Sequence, residues 1–262
     1  MSRLIHSLFI LALNAVPLVG VLFFGWSPGT LLAVIWVEVL LVAVANVLRI
    51  VLHRKWTQAR GHYRLHFNDR SSTTLGNKPR HPRQSGTLLS EYATLAFVFT
   101  LAHGFFLGMI LFMLSRNLQG EGPSPWGLDV VALRRGVLAV AALTGIELLL
   151  DVLSMRAKPF SWLRERVQVS MAQVVIVHLA IIFGTFLLMY LETPLVYLGI
   201  IIGLKALMEL GMATHSKEIP AKPPGWLSAL AKRQGLDMET EWTRIIAEEK
   251  QKLIDDELPV EA

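Results

Sequence analysis

Seven ionisable residues lie inside long apolar stretches of this sequence: Glu38, His103, Glu147, Asp151, His178, Lys205 and Glu209. A charge inside a bilayer is costly, so each is a functional candidate by default. Spacing adds chemistry. Glu147 and Asp151 are four apart and share a helix face; so do Lys205 and Glu209, which can pair with each other. Glu38, Glu147, Asp151 and Glu209 set four carboxylates against one lysine, and His103 and His178 add nitrogen ligands. Such an excess of acid either holds protons through raised pKa values or binds a cation. The pattern therefore points to a proton path, or to a divalent-metal site built from His103, His178, Glu147 and Glu209. Glu38, Asp151 and Lys205 are the further intramembrane polar groups. The plainer readings are a His103 that hydrogen-bonds a neighbouring helix and a Lys205–Glu209 ion pair with no other task.

The elements that must position these residues are membrane helices. Of 262 residues, 53% are hydrophobic and 17% charged, against about 25% charged in a soluble domain. Apolar runs long enough to span a bilayer fall near 4–24, 30–52, 92–114, 136–153, 171–191 and 195–213, which makes an all-α, polytopic protein of about six transmembrane helices. The run 4–24 is too long for a signal peptide and reads as a retained first helix. At about 1.5 Å per residue, the polar groups other than Glu38 fall between mid-bilayer and the cytoplasmic third. At least three of His103, Glu147, His178 and Glu209 are expected to face one cavity that opens toward the cytoplasm.

Orientation follows the distribution of Lys and Arg. Residues 53–91 carry Arg54, Lys55, Arg60, Arg64, Arg70, Lys78, Arg80 and Arg83, and residues 154–170 carry Arg156, Lys158, Arg164 and Arg166. The hairpins at 25–29 and 192–194 carry none. Both basic loops, and hence both termini, are expected in the cytoplasm. Trp26 and Trp126 suit the outer interface, and Trp56 and Trp162 the inner one.

Residues 1–214 thus form the transmembrane domain and 215–262 a cytoplasmic linker and tail. Pro220, Pro223 and Pro224 stiffen the linker. Residues 226–257 read as an amphipathic helix with Trp242, Ile245, Ile246 and Leu253 on one side. From Asp237 onward there are nine acidic residues against three basic. This tail is expected to pack on the basic loops or on a protein partner. Gly104 and Gly108, and Gly199 and Gly203, have the GxxxG spacing of close helix approach. His62 and His66, four apart, could ligate a metal, but the surrounding arginines oppose it; the loop better suits anionic lipid headgroups. The absence of cysteine excludes disulfides and thiolate chemistry. No HExxH, GxSxG or Walker motif is present. Two histidines on separate helices could grip a haem, but His103 and His178 differ in depth.

With these residues in view, the sequence resembles a bacterial membrane family catalogued as domain of unknown function 6498, over roughly residues 10–216. Trp36 and Glu38 match a Tyr-Trp-x-Glu-Asn stretch, with Ile35 and Val39 at its flanking places. His103, Gly104 and Phe106 match a His-Gly-x-Phe stretch. His178 and Gly184 match a later histidine helix, and Lys205 and Glu209 a closing Lys-x-x-x-Asp/Glu stretch. The resemblance implies a six-helix fold in the bacterial cytoplasmic membrane and no stated activity. Three functional classes follow from the residues: a cation or proton site serving transport or coupling, a metal-assisted membrane hydrolase, and a structural or assembly protein without a ligand. The partners expected are the bilayer, its anionic headgroups, a protein for the tail and a second copy of the chain; nucleic acid is not expected.

Overall fold

The computed structural model describes residues 3–64, 87–117, 127–172, 174–175, 199, 202–207, 211, 222–225, 228 and 238–260. Its long helices are α1 (Arg3–Phe24), α2 (Pro28–Thr57), α3 (Leu88–Asn117) and α4 (Val130–Ser154). A helix α5 covers 160–172, a short α6 covers 202–207, and α7 (Met238–Glu257) closes the described chain. The only strand-like pairing among the described residues is an isolated bridge between Ala59 and Pro259. Three helical stretches, Pro28–Thr57, Leu88–Met109 and Val130–Ala157, are long and apolar enough to cross a membrane; Leu8–Phe24 is a shorter apolar helix. His178 and Glu209 lie outside the described residues.

Local chemistry fixes the turn between α1 and α2. Gly25 has φ +60, a left-handed conformation open to glycine at little cost. It lets the Trp26 amide turn back to donate to Gly20 O at 3.0 Å. Ser27 then caps α2, its side chain accepting from the Thr30 amide at 3.2 Å, and Pro28 fills the first turn where its missing N–H costs nothing. Asp129 caps α4 through the amides of Val131 and Ala132, and its own amide donates to Thr30 Oγ1 at 3.0 Å. The starts of α2 and α4 are thereby tied together.

Trp26 is not an interface anchor, as its position in the sequence suggests. It is buried, wedged against Gly20 of α1 and Gly136 of α4. A side chain at Gly136 would put its Cβ 2.6 Å from the Trp26 ring and 2.7 Å from Val34. Gly136→Ala is expected to overpack this contact and cost about 1–3 kcal/mol. Gly108→Ala, where an added Cβ meets nothing within 4 Å, should be neutral or slightly stabilising. Thermal melting of the purified variants compares the two, and equal midpoints would refute the wedge. Gly104 does serve close approach: its added Cβ would stand 3.0 Å from the Trp36 ring. Trp36 Nε1 donates to Thr100 O at 3.1 Å and anchors α3 on α2. Among the described residues nothing meets a Cβ at Gly108, the second glycine of that spacing.

The basic stretch 154–170 is not the loop expected from its charges. After a 3-10 turn at Met155–Ala157 the chain re-enters a helix at residue 160. Phe160, Leu163 and Val167 repeat at helical spacing and are buried with Ile50, Leu88 and Tyr92. The charges ride on the other faces of the same helix.

Candidate functional site

Two polar clusters lie within the bundle. In the first, Lys205 Nζ on α6 donates to Glu38 Oε1 on α2 at 2.8 Å and to Asn14 Oδ1 on α1 at 3.1 Å. Asn14 is oriented by its own Nδ2, which donates to Ile10 O one turn back at 2.8 Å. All three residues are buried, Lys205 to 2% exposure. Glu38, expected as one of four intramembrane carboxylates set against one lysine, is a partner of Lys205. The expected Lys205–Glu209 pair lies outside the described residues at its Glu209 end.

The second cluster is eleven residues further along α2, about 16 Å toward its C-terminal end. Asp151 on α4 is its hub and is fully buried. It accepts from Arg49 Nε at 3.0 Å, Lys158 Nζ at 2.9 Å and Arg166 Nη2 at 3.2 Å. Glu147, one turn earlier, accepts from Arg166 Nη1 at 2.9 Å through Oε1 and from Arg49 Nη2 at 3.4 Å through Oε2. Arg49 also donates to Asn46 Oδ1 at 2.9 Å. Asn46 Nδ2 in turn donates to the Tyr92 hydroxyl at 3.1 Å, which lies 3.1 Å from Ser170 Oγ. The network ties α2, α3, α4 and α5 in one layer.

This geometry corrects the charge balance read from the sequence. Among the described residues, three cations face the two carboxylates Glu147 and Asp151. Arg49 had passed as part of an apolar span, and Arg166 and Lys158 as loop residues. Its signal was present, because Asn46, Arg49 and His53 recur at three and four residues and form a polar stripe at the inner end of α2. Both Glu147 oxygens are engaged by guanidinium groups. His103 is buried on α3, and its Nδ1–H donates to Phe99 O of its own helix at 3.0 Å. Among the described residues no three His, Asp or Glu side chains are grouped as a metal requires.

Beyond the network, the inner end is tightened by a histidine pair that spacing alone does not reveal. His53 Nε2–H donates to Lys158 O at 3.1 Å, so its Nδ1 accepts from His62 Nε2–H at 2.9 Å. Phe160 stacks edge-on to His62 with centroids 4.9 Å apart and rests on Gly61. Of the two loop histidines, His62 is thus a packing residue, and His66 lies outside the described residues. Trp56 and Trp162 each carry cations on their faces: Arg156 over Trp56 at 5.3 Å and Lys158 over Trp162 at 3.8 Å.

The acidic tail packs on these basic segments through its carboxylates. Arg60 Nη1 meets Asp255 Oδ1 at 3.2 Å, and Arg64 pairs with both Asp255 and Asp256. Glu257 accepts from the amides of Phe160 at 2.6 Å and Ser161 at 2.8 Å, capping α5 from another part of the chain. Ile245 and Leu253 remain exposed. The hydrogen bond and charge of Arg64, with help from Arg60, hold the Asp255 carboxyl below its usual range. Its contribution is present above the ordinary carboxylate range and is lost as pH falls through the lowered value.

A family model matches residues 1–225, which takes in Asn14, Glu38, Arg49, His103, Glu147, Asp151 and Lys205. The chain belongs to this family of unknown function (DUF6498). No curated protein and no solved structure matches it. The family region supplies both buried clusters and the basic surface, while α7 lies beyond the matched residues.

Proposed function

We propose that the protein is a six-span scaffold of the bacterial cytoplasmic membrane, with both ends cytoplasmic, whose buried ion pairs lock helix register beneath a basic cytoplasmic platform. The pairing of carboxylates with cations carries this reading. Glu38 sits on Lys205, and Glu147 and Asp151 sit among Arg49, Arg166 and Lys158. A metal ligand needs free carboxylate lone pairs, and a proton carrier must lose its charge at modest cost; guanidinium neighbours oppose both. Fixing register is the best-attested role of such buried networks. The platform's arginines suit anionic headgroups of the inner leaflet.

A second reading, an intramembrane proton or cation site used for coupling, is favoured by one observation. Lys205, Glu38 and Asn14 meet within the apolar part of the bundle, where retained charge is most often functional. Proteoliposomes loaded with a pH-sensitive dye separate the two, together with elemental analysis of the purified protein. The scaffold reading expects no proton flux above empty vesicles and no stoichiometric metal. A flux abolished by Glu38→Gln, or a metal retained through dialysis, would overturn it.

A further inference from the structure

The cytoplasmic end carries a surface suited to anions, and the chain's own C-terminal segment occupies it. The surface comes from two separate parts of the family region. Arg60 opens the 3-10 turn after α2 and Arg64 follows it, and the first turn of α5 brings Arg164 and the amides of Phe160 and Ser161. Three consecutive acidic residues fill it. Asp255 is on Arg60 and Arg64, Asp256 on Arg64 at 3.1 Å, and Glu257 on the two amides. Backbone contacts finish the attachment: the Arg60 amide donates to Leu258 O at 2.8 Å and the Val260 amide to Gln58 O at 3.0 Å.

Two features mark this as a displaceable occupant. The attachment is polar and local: Asp256 is the only buried residue of α7 among those described. The fit is also incomplete. Asp256 is 1% exposed, yet its Oδ2 accepts no hydrogen bond and lies 3.9 Å from Arg164 Nη1. Arg164 Nε, also buried, donates to nothing. The carboxylates leave the Arg164 Nε–H unmet, whereas a phosphate group presents more acceptor oxygens and pairs with arginine forks.

We propose that Asp255, Asp256 and Glu257 form an intramolecular latch on an anion receptor, and that phosphate headgroups of an anionic inner leaflet compete for the receptor and release α7. Charge complementarity commits the competitor to an anionic membrane. The same leaflet that attracts Arg60, Arg64 and Arg164 repels α7, whose seven acidic residues outnumber its three basic ones. Receptor and repulsion push in one direction. The receptor also lies next to Trp56 and Trp162, where a headgroup layer is expected. The inference rests on that reading's placement of these segments at the inner leaflet, and not on whether the spans serve as a scaffold.

The chain has no cysteine, so engineered ones label uniquely. Spin labels at the exposed positions of Lys55→Cys and Ala247→Cys report the distance between the end of α2 and α7 in the full chain. In nanodiscs of zwitterionic phosphatidylcholine a single short distance is expected. With phosphatidylglycerol added, a longer and broader population should appear, lowering the docked-to-released ratio by about tenfold or more. Inorganic phosphate added to the zwitterionic discs should leave the short distance unchanged. Asp255→Asn/Asp256→Asn/Glu257→Gln should release α7 without anionic lipid while the melting point of the bundle is kept. Identical distances in both lipids, or a triple variant that stays docked, would overturn the latch. Release by inorganic phosphate alone would assign the receptor to a soluble anion and overturn the membrane competitor.

Discussion

Asp151→Asn is expected to be the most damaging single change in the inner cluster, costing about 3–5 kcal/mol, whereas Arg49→Met is expected to cost clearly less. Charge balance makes the difference. Asp151 is fully buried and serves Arg49, Lys158 and Arg166 at 2.9–3.2 Å. Among the described residues, neutralising it leaves the Glu147 carboxylate facing three cations. Lys158 and Arg166, at 10% and 12% exposure, can reach toward water, but Arg49 at 2% cannot. Its remaining carboxylate contact is the 3.4 Å one to Glu147. Removing Arg49 instead leaves two carboxylates and two cations, a neutral set, and the loss is mainly the hydrogen bonds to Asn46 and Asp151. In a chain of this size the Asp151 variant should melt on the order of 10 °C lower, read by thermal aggregation in detergent. If Arg49→Met proves equal or worse, Arg49 rather than Asp151 is the keystone of the layer.

These elements are unevenly legible in the sequence, for physical reasons. Helix positions were legible because bilayer-length apolar runs announce themselves: 30–52 and 136–153 lie inside α2 and α4. The shared face of Glu147 and Asp151 was legible because helical geometry alone sets it. Their partners were not, since pairing across helices depends on tertiary register, and Arg49 was hidden by the hydrophobic average of its span. The helix at 160–172 was missed because its charges outweighed the Phe160, Leu163 and Val167 repeat. Trp26 followed the interfacial habit of tryptophan until two glycines, Gly20 and Gly136, opened a slot for it. Charge left the tail two places, the basic segments or a partner, and the ion pairs of Asp255 and Asp256 lie on the first.

Breaking the outer cluster from either side is expected to be costly, and breaking it from both sides nearly neutral. Lys205 and Glu38 are 2% and 4% exposed, with Nζ and Oε1 2.8 Å apart. Lys205→Met strands the Glu38 carboxylate beside Asn14, and Glu38→Gln strands the ammonium. Either single change should cost about 3–5 kcal/mol, less whatever protonation or snorkelling relieves. Lys205→Met with Glu38→Gln removes both charges and keeps similar volumes, so most of the loss should return. The measured coupling between the two sites should then exceed about 1 kcal/mol. The same cycle run on Lys205 and Glu209 gives the comparison that matters, because helical spacing alone nominates Glu209. A larger coupling to Glu38 than to Glu209 means that the lysine ties α6 to α2, fixing one helix against another. A larger coupling to Glu209 would confine the lysine's main charge partner to its own helix. Lys205 would then no longer count as a register lock.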